Sequence, residues 1–337
     1  MNSNNPNIIY ILADDMGYGD VSSLSDRCVW KTPSIGRLVQ EGIAFTDAHS
    51  SSAVCTPSRY SILTGRYCWR TYLKQGVNGG ASGPLIEKGR TTIASLLKDA
   101  GYNTACIGKW HVGWNWAVKE GMEEKVDRGV WAGETMDWID YNKSITEGPV
   151  DVGFDYFYGI SGSLDMPPYV YVENNMPMEE PTSWGTTYEF LRQGPRMERL
   201  RANNVLGHLT NRAVEYIEEQ DSDTPFFLYF PLTAPHTPIS PAPEFDGKSG
   251  INPYADFVLE VDARVGQVID AVEKKGFGEN TLIIFTTDNG ASYTPSECVI
   301  LEERFGHYCS HIYRGYKADI WDGGHRLPFT PCATKKR

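Results

Sequence analysis

The stretch Cys55-Thr56-Pro57-Ser58-Arg59-Tyr60-Ser61-Ile62-Leu63-Thr64-Gly65-Arg66 decides how the rest of the chain is interpreted. It is predicted to be a loop that turns into a short helix at Ser58, because Pro57 suits the first helical position and Gly65 can end the helix. A helix N-terminus favours an anion, and the Arg59 guanidinium suits a tetrahedral oxyanion. Cys55 is therefore either a thiolate nucleophile or a buried cysteine beside a surface arginine.

The whole pattern C-x-P-S-R-x-x-x-L-T-G resembles the signature of the type I sulfatases, which belong to the alkaline-phosphatase superfamily. The resemblance implies that a formylglycine-generating maturation enzyme oxidises Cys55 to Cα-formylglycine. The hydrated aldehyde, rather than the thiol, would then be the nucleophile. In that case residue 55 of the active enzyme is not a cysteine.

Alternating strand-like and helix-like segments predict the fold. Apolar runs predict buried parallel strands at residues 8–13, 103–107, 226–232 and 281–287. Helical spacing predicts helices at residues 35–42, 91–101, 204–219 and 254–275. This alternation indicates an α/β fold with a central, mostly parallel sheet and helices on both faces. The resemblance implies its alkaline-phosphatase-like form. A further short strand is predicted at residues 43–46.

Two of these strands end in oxygen-rich sequences, Asp14-Asp15 and Asp288-Asn289. Ligands bind beyond the carboxyl ends of strands in open α/β sheets, although paired aspartates are also common in turns. Ala13–Asp20 is similar to the start of sulfatases, which favours a metal site. Asp14, Asp15, Asp288 and Asn289, together with the modified Cys55, are the expected ligands. Oxygen ligands suit Ca²⁺, with Mg²⁺ the less favoured choice.

Other polar residues follow the remaining strands. Lys109 and His111 lie in a segment similar to the family's Gly-Lys-Trp-His-x-Gly, whose Lys and His contact the sulfate and the formylglycine. His236 matches a Pro-His-x-Pro motif, whose His faces the leaving group, and Lys317 matches a sulfate-binding Gly-x-Lys. A Lys-x-His pair alone would be weak evidence. The resemblance implies a catalytic set of Cys55, Arg59, Lys109, His111, His236 and Lys317.

Composition limits the possible partners and locations. The chain is 41% hydrophobic and 22% charged, as in ordinary globular proteins. Its net charge of −12 argues against nucleic acid, so a local positive pocket must attract a sulfated substrate. We find neither a run of about 18 apolar residues nor a signal peptide. The expected location is the cytoplasm, or the periplasm or exterior if a leader was removed. Seven cysteines without a Cys-x-x-Cys pair argue against a disulfide framework or a structural zinc site.

One catalytic domain is expected over residues 1–337, with a loop-rich insertion at residues 114–205 over the active-site face. The aromatic residues of this insertion either stack on sugar rings or pack the insertion itself. Trp321–Pro328 resembles the family's Glu-Gly-Gly-x-Arg-x-Pro, with Asp322 in place of Glu. No strand is predicted after about residue 328. The family's smaller C-terminal subdomain is therefore expected to be missing, which would favour a homo-oligomer.

Together these features predict hydrolysis of sulfate monoesters on a sulfated small molecule or glycan. The metal, Arg59, Lys109 and Lys317 would stabilise the charge of the sulfate. His236, together with Lys317, would protonate the departing alcohol, and His111 would act as the base. Two alternatives stay open: a phosphatase or phosphonate monoester hydrolase of the same superfamily, and a catalytically silent binder of sulfated glycans.

Overall fold

A mixed sheet of eight strands lies at the centre of the computed structural model, which describes residues 5–129, 136–292 and 297–333. The ten strands of the described residues are β1 (Asn7–Ala13), β2 (Asn103–Lys109), β3 (Tyr156–Ile160), β4 (Val172–Glu173), β5 (Met176–Pro177), β6 (Ser183–Gly185), β7 (Gly194–Arg196), β8 (Phe226–Pro231), β9 (Thr281–Thr287) and β10 (Phe329–Ala333). The order in the large sheet is β10-β9-β1-β8-β2-β3-β4-β5, and β6 pairs with β7 alone.

Five neighbouring strands of this sheet, β9, β1, β8, β2 and β3, are parallel. The predicted strands at residues 8–13, 103–107, 226–232 and 281–287 are confirmed as β1, β2, β8 and β9. All residues of β8 are buried, as a strand covered on both faces requires. The carboxyl ends of all five strands therefore lie at one edge of the sheet.

Helices flank the sheet, which confirms the predicted α/β architecture. They are α1 (Pro33–Glu41), α2 (Cys55–Thr64), α3 (Ile93–Asp99), α4 (Thr187–Phe190), α5 (Val205–Glu219), α6 (Pro253–Lys274), α7 (Glu297–Ile300) and α8 (Asp322–His325). The long helix α6 packs against α1 and α5. Asp262 of α6 accepts hydrogen bonds from the N–H groups of Ser34 (3.1 Å) and Ile35 (2.8 Å), which satisfies the first turn of α1.

Two predictions about the last strand and its neighbour are wrong. Residues 43–46 do not form a strand: Ile43 and Phe45 only donate single hydrogen bonds to the carbonyls of Pro331 and Phe329. Phe329–Ala333, which was not predicted to be a strand, forms β10 and pairs antiparallel with β9. A proline is tolerated in β10 because the strand lies at the edge of the sheet, where one side needs no ladder hydrogen bond.

The stretch at residues 114–205 contributes to the sheet and to the core. Its strand β3 pairs in parallel with β2, and β4 and β5 extend the sheet from there. Trp114, Trp116, Tyr169 and Tyr171 are buried, so these rings pack the protein and are not available to stack on sugars. Tyr188 is 98% exposed. Residues 130–135 of this stretch lie outside the described residues, and the extent of the domain stays a prediction.

Within the described ranges, no helix combines the length and the apolar character needed to cross a membrane. The cysteines whose side chains are described, Cys28, Cys55, Cys68, Cys106, Cys309 and Cys332, are free thiols.

Candidate active site

The carboxyl ends of β1 and β9 bring the predicted acidic residues together. Asp14 and Asp15 follow β1, and Asp288 and Asn289 follow β9. The Asp288 N–H donates to the Ala13 carbonyl (3.1 Å), and the Asp15 N–H donates to Asp288 Oδ1 (3.2 Å). The predicted proximity of these two strand ends is confirmed.

Two side chains at this edge extend from an unusual backbone. Asp15 has φ 64° and His111 has φ 58°, both in the left-handed region. Residues other than glycine adopt this region at a cost of roughly 1–3 kcal/mol, so the surrounding structure must hold them there. Next to Lys109, Gly108 has φ 138°, and a Cβ at this position would lie 1.9 Å from the Pro231 carbonyl oxygen. The backbone is therefore closely constrained where these side chains enter the site.

Cys55 is the first residue of α2, so this helix begins three residues before the predicted start at Ser58. Pro57 fits because the first N–H groups of a helix have no intrahelical acceptor. The predicted end is confirmed, since Gly65 has φ 66°. Cys55 is 2% exposed, and its Sγ lies 3.9 Å from Asp15 Oδ1. Burial raises the pKa of the Cys55 thiol, which disfavours an unmodified thiolate nucleophile.

Three basic side chains pair with the carboxylates at this edge: Lys109 with Asp14 (Nζ to Oδ2, 2.6 Å), Lys317 with Asp15 (Nζ to Oδ2, 2.7 Å) and Arg59 with Asp288 (Nη2 to Oδ2, 2.8 Å). Arg59 Nη2 also lies 3.3 Å from Asp14 Oδ1. Arg59 also donates from Nη1 to the Lys109 carbonyl (2.9 Å). The Arg59 and Lys109 side chains are fully buried, while that of Lys317 is 18% exposed. The alternative of a surface arginine at residue 59 is therefore wrong.

The surroundings shift the pKa values of the three carboxyl groups in different directions. Burial acts to raise the pKa of Asp14, but Lys109 and the other nearby cations outweigh burial and hold this pKa well below its usual range. The pKa of Asp15 is also lowered, because Lys317 and His236 outweigh burial. Burial and the charge of Asp14 raise the pKa of Asp288 to about 7, against the attraction of Arg59. Asp288 is thus the one carboxylate of the three whose charged form is disfavoured by its surroundings.

The donor atoms at this edge fit a hard divalent cation. Asn289 Oδ1 is buried and accepts no hydrogen bond, which is costly for a polar oxygen. Asp14 Oδ1 is also buried and accepts no hydrogen bond, although it lies 3.3 Å from Arg59 Nη2 in an ion pair. One ligand atom from each of Asp14, Asp15, Cys55 and His236 lies within 4.8 Å of the others. In this group the two aspartates offer oxygen, while Cys55 offers sulfur and His236 nitrogen; the aspartate oxygens together with Asn289 Oδ1 are the donors that suit Ca²⁺. His236 is a member of this group that was not predicted to face a metal.

Two of the predicted metal ligands already have partners. Asp288 accepts from the Asp15 N–H through Oδ1 and from Arg59 through Oδ2. The Asn289 amide nitrogen donates to Asp15 Oδ1 (2.7 Å), and this leaves Asn289 Oδ1 as its unpartnered atom. Asn289 therefore offers an oxygen directly, whereas Asp288 would have to share one with Arg59 or the Asp15 backbone.

His111 is held in one tautomer by a group that sequence analysis missed. Its Nε2 lies 2.7 Å from the Asn78 carbonyl oxygen, which can only accept, so Nε2 carries the proton. Its Nδ1 is buried, accepts no hydrogen bond and presents a lone pair. Burial, reinforced by the charges of Lys109 and Arg59, lowers the pKa of His111 well below its usual value. His111 is therefore a neutral imidazole.

The Thr56 hydroxyl joins the segments around His111. It donates to the His111 carbonyl (2.9 Å) and accepts from the Asn78 N–H (3.0 Å). Thr56 is adjacent to Cys55 at the start of α2. Its hydroxyl therefore connects this helix start with Asn78, which fixes the His111 tautomer, and with His111 itself. In the sequence, Thr56 was only an unassigned position of the motif and Asn78 lay in no pattern.

The ring of His236 is oriented through Nδ1, whereas that of His111 is oriented through Nε2. Its Nδ1 donates to the Thr237 carbonyl (2.5 Å) and lies 3.1 Å from Ser163 Oγ. Its Nε2 lies 3.5 Å from Asp15 Oδ2, so this nitrogen faces the carboxylate. Ser163 follows β3, which makes it a further site residue that no sequence motif indicated.

Comparison with known proteins places this arrangement in a family. The Sulfatase family model matches residues 6–330.

The chain belongs to the sulfatase family.

Relatives agree with this assignment. An N-acetylgalactosamine-6-O-sulfatase of Bacteroides thetaiotaomicron is 33% identical over 97% of this chain and 67% of its own length. Human arylsulfatase H is 28% identical over 96% of this chain and 63% of its own length. The chain thus spans about two thirds of the length of these curated relatives. The sulfatase resemblance is confirmed.

A solved structure shows the same fold. It comes from work on the metabolism of multiple glycosaminoglycans by Bacteroides thetaiotaomicron and has 31% identity and a TM-score of 0.82. The match covers 99% of this chain and 73% of the solved one. The alkaline-phosphatase-like sulfatase fold predicted from the sequence is therefore confirmed.

Because the donor atoms at the strand ends fit a divalent cation, we predict that Ca²⁺ binding stabilises the folded protein. Calcium at 100 times its Kd should raise the free energy of unfolding by about 2.7 kcal/mol. Asn289→Ala removes a neutral oxygen without stranding a buried charge, and it should weaken calcium binding at least about 10-fold. Calorimetric titration and thermal unfolding measure both effects.

The matched control for this experiment is Asn103→Ala, which removes an amide at the start of β2 and should leave calcium binding unchanged. Equal calcium affinity in the wild type and in Asn289→Ala would contradict a cation site at this edge.

Proposed function

We propose that the protein hydrolyses sulfate monoesters on a sulfated carbohydrate, with residue 55 acting as formylglycine. The observation that carries the proposal is the position of Cys55: a buried helix start beside Asp15, at the same strand ends as Arg59 and Lys109. A thiol in this position is a poor nucleophile, because burial raises its pKa. A hydrated aldehyde would supply a hydroxyl nucleophile that does not depend on thiol ionisation.

Binding of the sulfate group is assigned to the three cations. Arg59 and Lys109 are held by contacts among themselves and with the carboxylates, so their charges are fixed before substrate arrives. Lys317 is partly exposed and lies closest to solvent of the three. Fixed charges of this kind would stabilise the negative charge that develops on the sulfate oxygens, once a bound divalent cation offsets the carboxylates that now hold them.

A divalent cation, Ca²⁺ in our proposal, would be held by Asp14, Asp15, Asn289 and the oxygen of residue 55. Asp288 would join them by sharing an oxygen that already accepts from Arg59 or the Asp15 backbone. When bound it would neutralise charge on the sulfate and lower the pKa of the hydroxyl at residue 55. The unpartnered Asn289 Oδ1 supports this assignment, and so does Asp14 Oδ1, which accepts no hydrogen bond and has an ion-pair contact with Arg59.

Proton transfer is divided between two histidines whose surroundings differ. His111 is neutral with a bare Nδ1, which suits a base that accepts a proton from a hydroxyl of residue 55. His236 has Nδ1 engaged by the Thr237 carbonyl and Nε2 near the Asp15 carboxylate, which suits an acid that protonates the leaving alcohol. Pairs of titratable groups with opposite environments are typical of acid–base assignments.

The carbohydrate part of the proposal rests on relatives. The curated Bacteroides relative is named for an N-acetylgalactosamine 6-O-sulfate, and the solved structure comes from glycosaminoglycan metabolism. We therefore propose a sulfated amino sugar as the substrate class. Phosphate and phosphonate esters present a similar tetrahedral oxyanion, so they form the control substrates.

The first test measures the mass of the peptide that contains residue 55 and the rate at which the protein hydrolyses an aryl sulfate. Protein produced together with a formylglycine-generating enzyme should contain the aldehyde in the residue-55 peptide and hydrolyse an aryl sulfate faster than the matching aryl phosphate. Cys55→Ser, which cannot be converted by the same route, should lose at least about 100-fold in kcat/KM. Aldehyde-containing protein that cleaves only the phosphate would contradict the proposed reaction.

A second test concerns the Thr56 hydroxyl. Thr56→Val keeps the shape of the side chain but breaks its bonds to His111 and Asn78. It should lower kcat about 10–100-fold with little change in KM, because small displacements of a catalytic group have effects of this size.

Thr56→Ser retains the hydroxyl and should restore most of the kcat. Rates are expressed per aldehyde-containing molecule, counted by mass spectrometry, because the substitution lies within the maturation motif. Unchanged kcat in Thr56→Val would refute the positioning role.

A further inference from the structure

A second cluster of metal-ligating side chains lies apart from the site described above. His49 Nδ1 and His325 Nδ1 are 2.8 Å apart. On the far sides of the two rings, His49 Nε2 lies 3.0 Å from Asp47 Oδ1, and His325 Nε2 lies 3.1 Å from the Ile320 carbonyl oxygen. The two segments are distant in the sequence, so no local pattern indicated the cluster.

The partners of the two rings fix where their protons are. A carboxylate and a carbonyl can only accept hydrogen bonds, so both Nε2 atoms must donate. Each neutral ring then presents a bare lone pair at Nδ1, and these two lone pairs face each other at 2.8 Å. Such an approach is repulsive unless a positive species lies between the nitrogens. The candidates are an extra proton and a metal ion.

Asp322 makes the cluster a better site for a metal than for a proton. One of its oxygens and one ring nitrogen from each of His49 and His325 lie within 4.8 Å of one another. Asp322 and His325 are three residues apart in α8, a spacing that puts side chains on one helix face. Asp47, Asp322 and the neighbouring Arg326 together carry a net charge of −1, which favours a cation.

The backbone holds the two segments together before any ion binds. The Ser50 N–H donates to the His325 carbonyl (2.8 Å), and the Leu327 N–H donates to the Ala48 carbonyl (2.9 Å). His49 and Arg326 form an antiparallel bridge. The two rings are therefore brought together by main-chain contacts, and an ion would not need to organise the site.

We propose that His49, Asp322 and His325 bind one Zn²⁺ ion. Two imidazole nitrogens and a carboxylate, with water completing the tetrahedron, are a typical zinc set. The contacts of His49 with Asp47 and of His325 with the Ile320 carbonyl are the outer contacts that zinc-bound histidines make. Zn–N bonds of about 2.0–2.1 Å place two nitrogens roughly 3.3 Å apart, so the rings need to separate by about half an ångström.

The zinc site borders a cavity of about 710 Å³ lined in part by residues 50–54 and 318–320. These segments lie directly before Cys55 and directly after Lys317 in the chain. The site shares no residue with the cluster of Asp14 and Asp15, and it lies on the wall of a cavity whose lining segments adjoin the proposed catalytic residues in the chain. The proposal does not depend on the reaction catalysed there.

Calorimetric titration of Zn²⁺ into the full chain, with Ca²⁺ present at saturation, tests the proposal. Wild-type protein should bind one more equivalent of zinc than His49→Gln or His325→Gln. His208→Gln, a histidine elsewhere on the protein, should bind as the wild type does. Asp47→Asn keeps all three ligands but removes the outer carboxylate, and it should weaken zinc binding about 10–100-fold.

Co²⁺ in place of zinc provides a second readout, since an intense visible absorption band from tetrahedral cobalt should disappear in His49→Gln. Circular dichroism and thermal unfolding establish that each variant is folded. If the folded His49→Gln and His325→Gln variants bind as much zinc as the wild type, or if the wild type binds none, a proton alone bridges the pair and the proposal is overturned.

Discussion

The structure depends on the mutual neutralisation of three buried carboxylates and three cations at the carboxyl ends of the parallel strands. Removing one partner of a buried ion pair leaves an uncompensated charge, which is strongly destabilising. Lys109, Lys317 and Arg59 therefore cannot be regarded as free sulfate-binding groups, because each already has a carboxylate partner. Their release toward an anion requires another positive charge among Asp14, Asp15 and Asp288. In this account, cation binding and sulfate binding are parts of one electrostatic balance.

The fold creates this balance through the parallel arrangement of its central strands. Each of β1, β2, β8 and β9 ends at the same edge. Asp14 and Asp288 directly follow β1 and β9, Lys109 ends β2, and His236 lies in the loop after β8. Helix α2 brings Cys55 and Arg59 to the edge from outside the sheet. Asp15 and His111 have a left-handed backbone at this edge, and both side chains are buried. The sheet and α2 thus position Lys109 and Arg59, while segments beyond the strand ends carry the other charged groups, including Lys317.

The sequence allowed the central strands and the site residues to be predicted for different reasons. Continuous apolar runs such as residues 281–287 have few alternatives to a buried strand, whereas the roles of Lys109 or Lys317 came from family motifs. The strand β10 was not predicted, because it is short and contains Pro331, and a proline normally argues against a strand. The contacts of Thr56 with Asn78, and of His49 with His325, join residues far apart in the chain, so only the folded structure reveals them. The aromatic residues at 114–205 were ambiguous, because burial cannot be read from residue type.

The most direct test of the central claim is a calorimetric titration of inorganic sulfate into the protein with and without saturating Ca²⁺. We predict that calcium tightens sulfate binding at least about 10-fold, and that sulfate tightens calcium binding by the same factor, as linkage requires. Sulfate affinity that is independent of calcium, at constant ionic strength, would contradict the account. It would mean that Lys109, Lys317 and Arg59 can bind sulfate while they are still paired with their carboxylates.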